Sequence, residues 1–276
     1  MWGAVQGSAS AARPTVSYVD DDGAHYAELL RELSSVDAWL SRMAPNPRPP
    51  PGSALRGDDN RTEPYQLSYA AWNSLTHAVD HLNCLRTLLQ DARVVHMFAP
   101  FSLVRSALEN ASAAVWLLQP PGRRERITRR LRLAADDIRN GEQARKLIGT
   151  EGPRSQDERL KDIRDIADRE GIEQSAALSK VGYREIIEAA SGGANGPAKD
   201  ATMLCWRLCS GVAHGDFWTT INATDREPIE LPGMSPGVGA FKITAHVGLL
   251  MYVTGIAVAM TGLGWRLYDQ RSFSPG

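Results

Sequence analysis

Residues 100–121 read PFSLVRSALENASAAVWLLQPP, and this stretch decides the fold class. Phe101, Val104, Leu108, Ala111, Val115 and Leu118 recur at steps of three and four, which places them on one stripe of an α-helix. Pro100 suits a first helical turn, where an amide hydrogen has no partner in any case. Pro120 and Pro121 cannot continue the helix, so both ends are marked.

Outward from this segment the same period returns on both sides. Upstream, Leu75, Val79, Leu82 and Leu89 predict a helix over 66–92. Leu29, Leu33, Val36, Leu40 and Met43 predict another over 23–44, with Asp20, Asp21 and Asp22 as N-cap and first-turn carboxylates at its positive end. Between them, residues 45–64 include Pro45, Pro47, Pro49, Pro50 and Pro51 and read as an extended linker. Downstream, Ile127, Leu131, Ala134, Ile138 and Leu147 predict a helix over 122–148. Shorter patterns at 155–170, 176–190 and 198–214 are separated by Gly152-Pro153, Gly171 and the glycine-rich segment 191–197. Residues 219–231 alternate weakly and suit a small hairpin turning at Asp225–Pro228, or an irregular loop. The expectation is an all-α chain, a single multi-helix bundle over 21–276 behind a flexible tail at 1–20.

Composition narrows the function classes. The chain has 276 residues and a formal net charge of -1, which excludes a uniformly basic nucleic-acid coat but leaves room for a local basic patch. Three cysteines are too few for a disulfide scaffold and point to a reduced, cytoplasmic setting. No charged segment followed by a leucine-rich core opens the chain, so a secretory signal is not expected. Residues 243–264 carry His246 as their only strongly polar side chain, and by length they qualify as a membrane span. A bundle's central helix can also be apolar all round. Gly248, Gly255 and Gly262 allow close helix approach in either setting. The amphipathic helices need a shared core, so this segment reads as that core, and a membrane is not an expected partner.

The chemistry-bearing residues concentrate in 206–216, WRLCSGVAHGD. On a helix Arg207, Ser210 and His214 share one stripe, and Gly215 is placed to end it. His214 would then sit in the last turn, where the helix dipole favours imidazolium, and Asp216 could fix the ring's tautomer. A histidine beside an arginine can move protons while the cation stabilises a phosphate. Seven residues of helix separate Arg207 and His214 by about 10 Å, so a shared ligand needs a bend at Gly211 or a second subunit. Arg105 and Glu109 are one turn apart on the helix over 100–118. They form either a structural ion pair or a group that orients His214 or Arg207 across the bundle.

Six arginines, Arg123, Arg124, Arg126, Arg129, Arg130 and Arg132, crowd ten residues and could hold RNA phosphates. Nearby Glu125, Asp136, Asp137 and Glu142 allow instead a solvated, self-paired helix face. His77, His81 and Cys84 line one helix face, but that row is too long for one ion, and a polar seam is the preferred reading. Cys205 and Cys209 read as small core residues. No phosphate-cradling loop, nucleophile elbow or dinucleotide fingerprint occurs, so neither a cofactor nor a metal is expected.

An arginine, a short spacer and a histidine on a late helix of an all-α chain resemble HEPN domains, helical domains found in many prokaryotic RNase toxins. The spacer here is six residues, and Leu208 stands where those domains commonly place a polar residue. The layout over 65–218 is also similar to an actinobacterial family of helical proteins without known activity. It shares with them Arg105 to Glu109, Trp116 to Pro120 and Ser210 to Gly215. The HEPN resemblance implies metal-independent RNA cleavage at a homodimer interface, in a toxin or phage-defence setting. Arg207 and His214 would be the catalytic pair, Arg105, Glu109, Ser210 and Asp216 would support them, and Arg123, Arg126 and Arg130 would bind RNA. The alternative is a non-catalytic helical interaction module in which the same polar residues are structural.

Overall fold

The computed structural model describes residues 19–43, 48–193, 195–230 and 239–274. The tail expected at 1–20 lies outside the described residues as far as residue 18. The first elements are helices α1 (Val19–Glu32), α2 (Ser35–Leu40), α3 (Ala54–Thr62), α4 (Leu67–Arg86) and α5 (Ala99–Leu118). Then come α6 (Arg123–Ile148), α7 (Gln156–Arg169), α8 (Gln174–Ala177), α9 (Tyr183–Ala190) and α10 (Lys199–His214). Helix α11 (Phe217–Asn222), strands β1 (Thr224–Ile229) and β2 (Ala240–Ala245), and helix α12 (Val247–Ser272) complete the order. The fold is an all-α multi-helix bundle carrying one two-stranded sheet.

Helix α5 lies at the centre of the main core. It buries its predicted stripe and also Ala107, Ala113, Ala114 and Trp116, so α4, α12, α9 and α10 pack around it. The alanines keep the helix slim enough for neighbours on several sides. Helix α12 contributes Leu250, Val253, Ala257, Met260, Leu263 and Trp265 to the same core. A Cβ built on Gly264 would lie 2.7 Å from Leu75 Cδ2, so bare backbone is what lets α12 approach α4 there. Helix α12 is long and apolar enough to cross a membrane, and half of its most apolar window is buried within the bundle.

A second, smaller core joins Ile127, Leu131, Ala134 and Ile138 of α6 to Leu160, Ile163 and Ile166 of α7. Past Ile138 the predicted stripe of α6 leaves this core, and Leu147 is 88% exposed. Helix α7 opens with a reciprocal cap: Ser155 accepts from the Glu158 amide, and the Glu158 carboxylate accepts from the Ser155 amide. Ser155→Ala should lower stability by about 1 kcal/mol. A thermal melt would register it as a fall of about 3 °C.

Several expectations need correction, among them the helix over 176–190, which divides into α8 and α9 across residues 178–182. The single helix over 23–44 divides at Leu33–Ser34, because consecutive serines favour turn hydrogen bonds over a continuing helix. Helix α1 also begins at Val19, so Asp20–Asp22 fall within its first turn. The linker at 45–64 contains α3, whose N-cap Ser53 accepts from the Arg56 amide. Its inward face includes Asp58 and Asp59, both buried, so apolar spacing could not reveal it. The hairpin expected within 219–231 supplies only one strand. Its partner is β2, with Thr224 opposite Ala245 and Ile229 opposite Ala240, and Pro228 sits in the strand opposite Phe241 rather than in a turn. A two-stranded ribbon leaves an outer edge where a proline's missing donor is tolerated.

Candidate functional site

The site forms where α5 faces the last two turns of α10. Glu109 on α5 accepts two hydrogen bonds through Oε1, from Arg105 Nε at 2.9 Å and from Trp206 Nε1 of α10 at 2.8 Å. The guanidinium of Arg105 then reaches outward, with Nη1 3.3 Å from His214 Nε2. A guanidinium only donates, so in this contact Nε2 is the group that would accept. Gly215, in the left-handed region at φ +73°, ends α10 and leaves His214 exposed in its last turn. Tyr183 at the start of α9 completes the surroundings. Its phenol is pushed up chiefly by burial, then by the negative charges of Glu109 and Asp137, while Arg105 opposes the shift.

The predicted residues do not all converge. Arg105, Glu109 and His214 form one cluster, joined by Trp206. Arg207 is exposed further up α10 and has no hydrogen bond or ion pair among the described residues. The bend that would have brought it to His214 does not occur. Helix α10 is regular through Gly211, which instead provides room for the buried side chain of Thr219 on α11. The Ser210 hydroxyl takes no part in the hydrogen bonding among the described residues. Asp216 leaves the imidazole alone; its backbone carbonyl accepts from the Thr219 and Thr220 hydroxyls at 2.7 and 3.1 Å.

The arginine ridge is not an open phosphate-binding surface. Arg126 is 3% exposed and donates to Asp58 Oδ2 at 2.7 Å and to the carbonyls of Pro120 and Pro121 at 3.0 and 2.8 Å. Arg123 donates to the other oxygen of Asp58 at 2.9 Å. Arg130 is buried, with Nε directed at the carbonyls of Tyr65 and Gln66. Arg124 binds the Gly171 carbonyl, Arg129 binds Glu125 and the Trp116 carbonyl, and Arg132 binds Glu185 and the Lys180 carbonyl. These groups already hold α6 against α3, α5 and the loops on either side of α8, so the expected RNA contacts of Arg123, Arg126 and Arg130 have no support here.

Among the described residues no group of three potential metal ligands assembles. His81 Nδ1 lies 2.7 Å from the His77 carbonyl, and Cys84 is exposed on the same helix. Cys205 and Cys209 are fully buried side by side, and the Cys209 thiol is pushed up by its contact with Cys205 and by burial. Sequence reasoning missed Trp206 as the partner of Glu109; its position one turn below Ser210 on a half-buried helix face was the available signal.

No protein-family model, curated protein or solved structure matches this chain.

Proposed function

We propose that the chain is a non-catalytic helical interaction module, in which Arg105, Glu109, Trp206 and His214 fasten α10 to the central helix α5. The supporting observation is the double acceptance at Glu109 Oε1, which joins side chains from two helices at a largely buried point. Removing such an acceptor leaves a guanidinium nitrogen and an indole N–H in search of partners. Glu109→Leu, which deletes the acceptor, should therefore cost about 2 kcal/mol, a value typical of hydrogen bonds to a charged group. The melting temperature would fall by about 5 °C.

A second reading is favoured by one observation, the guanidinium of Arg105 beside the exposed imidazole of His214. In a HEPN-like, metal-independent endoribonuclease this pair could hold a scissile phosphate, with Arg207 supplied by a second copy across a homodimer. One pair of measurements separates the readings: RNA cleavage in the presence of EDTA, and the thermal melt of His214→Ala. The module predicts no cleavage by the native chain and a lowered melting temperature in the variant. Cleavage that His214→Ala abolishes at unchanged stability would replace the module with the nuclease.

A further inference from the structure

A separate cleft of about 370 Å³ opens between α4, α5, α6 and the start of α9. Arg130, Ala113 and Ile186 are its buried residues, while Asn73, Asn110, Asp137 and Tyr183 stand around them. Its size falls within the range that holds small ligands.

The base of the cleft is electrostatically incomplete. Arg130 Nη1 is buried and has no hydrogen-bond partner among the described residues. Burial pulls the guanidinium below its ordinary pKa, and the nearest compensating charge is Asp137. Yet no salt bridge joins the two among the described residues. Asp137 is exposed at the rim, but the protein around it removes enough water to push its carboxyl above the usual carboxylate range. A buried cation short of one hydrogen-bond partner and a rim carboxylate without one are thus held in one cleft.

We propose that this cleft binds a small zwitterion, with its carboxylate toward the Arg130 guanidinium and its ammonium group toward Asp137. A phosphate dianion fits less well, because Asp136 and Asp137 lie in the same wall. Asp136 is fixed there by Arg139 at 3.0 Å and by the Val181 amide at 3.1 Å. Arg130 and Asp137 are two turns apart on α6, about 10 Å between Cα atoms. No salt bridge joins the two groups among the described residues, so the ligand must span the gap between them, as an ω-amino acid or a dipeptide can. Asn110 donates to the Ser106 carbonyl through Nδ2, which leaves its Oδ1 as an acceptor for the ligand.

The test is calorimetric titration and thermal shift of the full chain with 4-aminobutyrate and glycylglycine. Acetate, ethylammonium and inorganic phosphate are the comparison probes. At about a hundred times its dissociation constant, a bound zwitterion should raise the melting temperature by about 5–10 °C. The single-charge probes should bind at least about tenfold more weakly, because each leaves one of the two charges unpaired. Arg130→Lys should weaken the zwitterion by a similar factor. If that variant fails to fold, Asp137→Asn at the exposed rim decides, with the same expected loss. The proposal is overturned if neither zwitterion binds, if phosphate binds more tightly than both, or if Asp137→Asn binds as well as the native chain. RNA cleavage plays no part in these readouts, so this proposal stands or falls separately from the function of the Arg105 cluster.

Discussion

Replacing Asp58 by alanine should lower the melting temperature by roughly 10 °C. The carboxylate is fully buried and takes bonds from Arg123 Nε, Arg126 Nε and Arg126 Nη2. Its removal leaves Arg126, 3% exposed, as an uncompensated charge between α3 and α6. Breaking a buried pair by deleting one partner typically costs about 3–5 kcal/mol. Each kcal/mol corresponds to about 2–4 °C in a domain of this size. Arg123 is 44% exposed in its side chain and can turn to water, so it adds little to the loss. The double variant Asp58→Leu with Arg126→Met should recover more than half of the stability, because well-packed apolar residues can replace a buried pair at small cost. Recovery stops short of complete, since the Pro121 carbonyl loses its donor, while the Pro120 carbonyl keeps the one from Arg271 Nη2. A melt of Asp58→Ala within 2 °C of the native protein would mean that Arg126 finds another partner.

The same pair shows what the sequence could and could not disclose. Apolar spacing identified α5 and the first half of α6, because their inward faces are made largely of leucine, isoleucine, valine and alanine at helical intervals. It missed α3, whose inward positions include two aspartates that become legible only with Arg126 and Ser68 opposite them. Those partners lie 68 and 9 positions away along the chain, and no local pattern encodes the longer pairing. The arginine run invited an RNA reading for the same reason. A row of cations looks alike in sequence whether it faces solvent or the carbonyls at a helix junction. At the candidate site, Arg105, Glu109 and His214 were legible as residue types. Their pairing was set by the α5–α10 packing, so His214 meets Arg105, 109 positions distant, rather than Arg207 on its own helix.

Trp265→Ala tests the other ambiguous segment, the apolar helix α12. The Trp265 ring is 2% exposed and meets the Trp72 ring edge-on at 5.2 Å, with Tyr268 at 6.3 Å. The Arg42 guanidinium lies 4.2 Å from the ring centroid and covers it. Truncating a buried tryptophan typically costs about 3–5 kcal/mol through lost burial and the cavity left behind. The expected fall in melting temperature is again roughly 10 °C. Tyr252 is on the same helix but 43% exposed, so Tyr252→Ala should change stability by less than about 0.5 kcal/mol. Tyr268→Phe should also cost little, because its buried hydroxyl has no partner among the described residues, so the substitution removes a desolvated polar group. The contrast comes from which side of α12 faces the bundle. Comparable losses at Trp265 and Tyr252 would mean that the outward side of α12 is also packed, against a surface beyond this bundle.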